Sequence, residues 1–184
     1  MEKRFSSNSF RAAGLAAFLV AAGVSAPAQT YNAIDIGRLA GASSALATGV
    51  NINGSVAGVS VPTSGGGAFL YSGGTITGLG SLPGGTGSYA SGINDSSQVV
   101  GWSDAGPIAM AFLYSGGTMV SLGTLPGGST SMANAINNNG QICGTSATLV
   151  SPSMALASHA FLYSGGAMKD LGTLGGSSSN GYGI

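Results

Sequence analysis

Charge is nearly missing from this sequence: ten of its 184 residues are Lys, Arg, Asp or Glu. Histidine and cysteine occur once each, as His159 and Cys143, and no Glu follows Glu2. A surface so poor in cations cannot form the basic stripe that phosphate backbones require, which argues against nucleic acid as a partner. Without a second His, a second Cys or a later Glu, the chain cannot assemble a closed zinc shell, an EF-hand loop or an internal disulfide. No cofactor or metal is therefore expected. Long apolar runs are missing too. The longest uninterrupted small and apolar stretch, Ala12 to Val24, has thirteen residues, short of the roughly 20 that a membrane-spanning helix needs.

That stretch follows Lys3, Arg4 and Arg11 and precedes Ala26-Pro27-Ala28. A positive start, a short apolar segment and a small-residue site form a secretory signal peptide, so residues 1–28 are expected to be a signal helix, cleaved after Ala28. The mature product would be secreted, extracellular or held at the cell envelope, with no transmembrane span. It keeps Arg38 and Lys169 against Asp35, Asp95, Asp104 and Asp170, a formal charge of −2. Its wetted surface must consist largely of Ser, Thr, Asn and Gly.

What the chain does have is repetition. Ala-Phe-Leu-Tyr-Ser-Gly-Gly begins at Ala68, Ala111 and Ala160. Leu79-Gly80-Ser81-Leu82-Pro83-Gly84-Gly85 recurs at Leu122 and, without its proline, at Leu171; Ile36 to Gly41 is a degenerate copy. A third block, Val50 to Gly58, returns as Ile93 to Gly101 and Ile136 to Gly144, 43 residues apart each time. Self-similarity at this period marks a repeat array in which neighbours bury each other's apolar faces. The repeats divide 29–184 into units of about 36–78, 79–121 and 122–170 and a partial unit 171–184. The third unit carries six extra residues between Gly144 and His159, expected to form a polar surface insertion.

Short apolar and β-branched runs alternate with Gly, Asn and Ser clusters, the pattern of strands and turns. Ser115-Gly116-Gly117 should close a hairpin whose glycines supply positive φ, and Asn137-Asn138-Asn139-Gly140 should form a second turn. Each unit thus holds four short strands, the content of a propeller blade. Apolar residues on both sides of each strand call for cover on both faces. The expected fold is all-β: tandem four-stranded antiparallel units in a partial β-propeller-like array. Gly181 to Ile184 aligns with Ala90 to Ile93, so a fragment of a longer frame is expected, with self-association through open strand edges.

These blocks resemble the extracellular HAF repeat family, in which His-Ala-Phe-Leu-Tyr-x-x-Gly leads to Asp-Leu-Gly-Thr-Leu-Gly-Gly. The match is closest from His159 to Gly176, and the resemblance runs from about Ile34 to Ile184. It implies an exported bacterial repeat protein and no recurring charged site, since Gly67 and Met110 replace His159 while Gly78 and Ser121 replace Asp170.

Candidate sites are few. His159 has no partners for a metal shell and reads as a structural or surface histidine at a strand start. Cys143 aligns with Ala57 and Val100 and reads as a buried hydrophobe. Asn94-Asp95 and the Asn137 turn lack the ligand alternation of a calcium loop. The Leu-Pro-Gly-Gly segments at Pro83 and Pro126 lack the Lys of a phosphate cradle. Catalytic, cofactor-binding and metal residues are accordingly expected to be none. Tyr89 and Trp102 individualise the second unit and are the candidate contact aromatics, with core packing as the competing explanation. The functional expectation is a non-enzymatic binding or structural surface module with a glycan or protein ligand. The alternative is a fragment of a glycan-active propeller enzyme, which would need paired carboxylates.

Overall fold

The computed structural model describes residues 32–62, 67–150 and 155–184, so the expected signal helix lies outside the described residues. Within the compact unit Asp35–Ile184 the chain forms three four-stranded antiparallel sheets and, among the described residues, no helix. The first holds β1 (Ala42–Val50), β2 (Val56–Pro62), β3 (Gly67–Ser72) and β4 (Thr75–Gly78). The second holds β5 (Ser88–Ile93), β6 (Val99–Ala105), β7 (Ile108–Ser115) and β8 (Thr118–Gly123). The third holds β9 (Ser131–Ile136), β10 (Ile142–Val150), β11 (Ala155–Ser164) and β12 (Ala167–Asp170). Strand order follows chain order in each sheet, an uninterrupted meander.

The turns explain the meander. Gly116 and Gly117 have φ of 59° and 88°, and the equivalent pairs Gly73-Gly74 and Gly165-Gly166 repeat that geometry. Two successive positive φ values make the two-residue hairpin turn whose twist matches antiparallel strands. The Asn turn works differently. Asn137 Oδ1 accepts the backbone N–H groups of Asn139 and Gln141, both at 3.0 Å, and so replaces ladder partners while the chain reverses. Asn51 and Asn94 do the same in the other two sheets.

The sheets stack in sequence, β5 packing over β1, β2 and β3, and β9 over β5, β6 and β7. One core lies between the first two sheets, around Ala57, Ala68, Leu79, Leu82, Ala90, Val99 and Phe112. The other lies between the second and third, around Val100, Leu122, Leu125, Ile136, Ile142 and Phe161. Adjacent Val99 and Val100 therefore point into different cores, which is why these strands are apolar on both sides.

Two polar ladders tie sheet to sheet. Ser88 Oγ accepts the N–H of Ala68, and Ser131 Oγ that of Ala111. Ser179 Oγ likewise accepts the N–H of Ala160. Each of these hydroxyls donates onward to a carbonyl, of Gly80, Gly123 or Gly172. The second ladder runs through the turns: Asn51 Nδ2 donates to the carbonyl of Asn94 at 3.0 Å, and Asn94 Nδ2 to that of Asn137 at 3.1 Å. Buried amides that would otherwise lack partners are thus satisfied by the neighbouring unit.

Where it is described, the extra length of the third unit extends its two central strands, with Thr145 to Val150 pairing with Ala160 to Ala155 without a register break. Thr148, Leu149 and Val150 suit a pleated surface and continue the ladder. His159 consequently lies mid-strand in β11 rather than at a strand start.

After β12 the chain crosses the third sheet. Ser178 bridges Ser158 in parallel, Gly181 N–H donates to the Gly144 carbonyl at 3.2 Å, and Asn134 Nδ2 donates to the Gly181 carbonyl at 2.7 Å. Gly181 lies over Cys143, which is buried and free. Burial pushes the thiol pKa up, against hydrogen bonds from backbone that act to lower it.

Candidate functional site

The two aromatics flagged in the sequence meet. Tyr89 on β5 and Trp102 on β6 are direct cross-strand partners, and their rings stack with centroids 4.2 Å apart and planes 17° from parallel. Both are half-buried. Side chains alternate across a strand, so the faces of β6 can be assigned. Ser103 points toward the first sheet, its hydroxyl 2.9 Å from the Leu82 N–H and 2.8 Å from the Gly87 carbonyl. Trp102 and Asp104 take the opposite face. Asp104 is half-buried, and its Oδ2 accepts a hydrogen bond from Thr86 Oγ1 at 3.2 Å.

The equivalent pairs in the other sheets are Leu46 opposite Val59 and Met132 opposite Thr145. At the repeat offset Asp104 is replaced by Val61 and Ala147. These three positions differ in every sheet, and only the second sheet places aromatics and a carboxylate at them, while the backbone pairing around them is retained. The equivalent Leu46 and Met132 are 62% and 42% exposed. The fold does not require aromatics or a carboxylate here, because two sister sheets form without them. No family model matches the chain, and neither a curated protein nor a solved structure shows detectable similarity to it. The local chemistry of the Tyr89–Trp102 pair therefore carries the functional argument.

Sequence reasoning missed a second polar pair. His159 Nδ1 lies 3.0 and 2.9 Å from the two Asp170 carboxylate oxygens. The signal was available, since the Gly165-Gly166 hairpin pairs Asp170 with Phe161, two residues beyond His159, and side chains two apart on a strand share a face. Desolvation alone would raise the Asp170 pKa, but hydrogen bonds from His159 and the Gly172 N–H, with the histidine charge, hold it below its usual 3.8. A carboxyl that binds its proton less tightly when folded stabilises the fold above its unfolded value. That contribution fades as pH falls through the lowered folded value. Wild type should therefore exceed Asp170→Asn in thermal midpoint at neutral pH, with the difference fading as acid protonates the folded carboxylate. The effect should be small, because Asp170 is exposed. A difference that persists unchanged in acid would show that the ion pair is not its source.

In the first sheet the His159 and Asp170 positions are Gly67 and Gly78, which line a shallow depression of about 310 Å³ with Leu39, Ser81 and Thr86. The remaining carboxylates serve local structure. Asp35 Oδ1 accepts the Gly37 N–H, while Asp95 holds the Ile52 N–H and the Asn138 side chain across the turn tips. Asp95 lies in the turn before β6 and Asp104 near the far end of β6, so they do not form a facing pair. Among the described residues no three His, Cys, Asp or Glu side chains cluster as a metal site, and no helix is long and apolar enough to cross a membrane.

Proposed function

We propose that this chain is an exported, non-enzymatic repeat protein whose stacked sheets form a propeller-like scaffold for ligand binding. The observation that carries the reading is that the second sheet alone has a stacked aromatic pair and a carboxylate, Tyr89, Trp102 and Asp104, at positions where its two sister sheets fold without them. Side chains the fold does not require, left half-exposed, fit contact with something outside the chain. The leader-like 1–28 segment and the resemblance to HAF repeats support export to the cell envelope or beyond.

The enzyme reading is less well supported. Glycoside hydrolysis by the usual two-carboxylate route needs acids that face each other across a bond, and each aspartate here is engaged in a separate local structure. Self-association belongs to the same proposal: β1 exposes six consecutive side chains, from Ser43 to Thr48, and among the described residues no strand pairs with its outer edge.

Expression of the complete chain in a bacterial host tests this reading. The expected product is exported, begins at Gln29 by mass spectrometry, sediments as an oligomer and releases no reducing ends from polysaccharides. An uncleaved product retained in the cytoplasm would overturn export, and turnover would overturn the non-enzymatic assignment.

A further inference from the structure

We propose that Asn139, at the tip of the third unit's turn, is a site of spontaneous deamidation, and that its conversion loosens the junction between the second and third sheets. Asn-Gly occurs in the chain as Asn53-Gly54, Asn139-Gly140 and Asn180-Gly181. In such a peptide the glycine amide nitrogen can attack the asparagine Cγ, because the glycine has no Cβ to obstruct the approach. The new N–C bond closes a five-membered succinimide while the side-chain nitrogen leaves as ammonia. Water then opens the ring at either carbonyl, to aspartate or to isoaspartate.

All three glycines donate their N–H in the fold. Gly54 donates to the Asn51 carbonyl and Gly140 to the Asn137 carbonyl, both at 3.0 Å, and Gly181 to the Gly144 carbonyl at 3.2 Å. The side chains therefore decide between the sites. Asn53 Nδ2 donates to the Asp95 carbonyl at 2.9 Å, which ties the leaving amide to the next unit. Asn180 Oδ1 accepts the Thr145 hydroxyl at 3.0 Å, and Gly181 is held a second time by Asn134 Nδ2 on its carbonyl at 2.7 Å. Asn139 is exposed, and its side chain has no hydrogen-bond partner among the described residues; only its backbone N–H is engaged, by Asn137 Oδ1. It lacks the tether that restrains the other two, and attack on Cγ needs that freedom.

The turn around Asn139 also carries a junction. Asn137 Oδ1 accepts the N–H groups of Asn139 and Gln141, and the Asn137 carbonyl accepts Asn94 Nδ2 at 3.1 Å. Isoaspartate adds a main-chain carbon between Asn137 and Gln141 and so lengthens the loop that Asn137 Oδ1 closes. Aspartate instead places a negative charge next in sequence to Asn138, whose Nδ2 donates to the Asp95 carboxylate, and like charges repel. Either product weakens the contact between the second and third sheets.

The complete chain would be held folded at mildly alkaline pH and, in parallel, unfolded in guanidinium. Peptide mapping at intervals, with fragmentation that separates aspartate from isoaspartate, follows each site. In the folded chain Asn139 should convert about two- to tenfold faster than Asn53 or Asn180, the factor that release of one ordinary hydrogen bond is worth. In guanidinium the three rates should converge. Asn139→Gln, which would have to close a six-membered ring, should remove the fast conversion, and its thermal midpoint should hold on ageing while that of the unsubstituted chain falls. Equal rates at the three sites of the folded chain, or slower conversion at Asn139 than at either other site, would overturn the assignment. Conversion of Asn139 with an unchanged midpoint would overturn the loosening of the junction.

Discussion

Gly101→Ala is expected to lower the unfolding free energy by about 3 kcal/mol, the upper end of overpacking costs. A Cβ at Gly101 would overlap the backbone carbonyl of Tyr89 and press on Ala90 Cα at 3.0 Å. Backbone cannot rotate away as a side-chain tip can. The ladder between β5 and β6 has a register shift between Ala90 and Gly92, next to this contact, and the added methyl would push directly on it. Gly58 and Gly144 occupy the same place in the other sheets. There the obstacles are the Leu46 and Met132 carbonyls together with the rings of Phe69 and Phe161. Glycine at this position is thus required by close approach and not by positive φ. Gly183→Ala is the control, because nothing lies within 4 Å of a Cβ there. Urea denaturation should separate the two variants clearly; equal midpoints would mean that the β5–β6 ladder is not packed as described.

Phe112→Ala is expected to cost about 3–5 kcal/mol, as for other fully buried aromatic truncations. Phe112 has no exposed surface and sits in the core between the first and second sheets. The loss should be unevenly distributed. In a stacked array each unit depends on its immediate neighbours, so amide exchange should accelerate more in β2 and β3 than in β10 and β11. Uniform acceleration across all three sheets would show a single cooperative block rather than coupled units.

The strands and turns were legible because they rest on local chemistry. The Gly-Gly pairs impose positive φ, the Asn residues close their own turns, and the alternation of apolar runs with these breakers set the meander. Three identical blocks then made one sheet into three. The links between units were less legible, because a hydroxyl serving the neighbouring sheet leaves no trace in its own strand's pattern. Ser88, Ser131 and Ser179 recur at equivalent positions while the first unit has Ala45, a clue that acquires meaning only once the partner amides are seen. The Asn side chains were read as turn formers, which accounts for their oxygens but not for their Nδ2 groups. His159 seemed isolated because its partner lies eleven residues away across a hairpin. The extra residues of the third unit suggest a polar insertion by composition, yet those described, Leu149 and Val150 in β10 and Ala155 and Leu156 in β11, continue the ladder.

The asparagine ladder has a direction. Asn51 and Asn94 each donate an Nδ2 hydrogen to the carbonyl of the next unit's turn asparagine, so the modules join head to tail like links with distinct hook and eye. Tandem duplication of one whole 43-residue module would preserve every such junction. A gain of any other length must be absorbed away from the junctions, as it is in the lengthened third hairpin. Growth and shrinkage of such a protein over evolutionary time should therefore proceed in whole modules, with irregular additions confined to the far ends of hairpins.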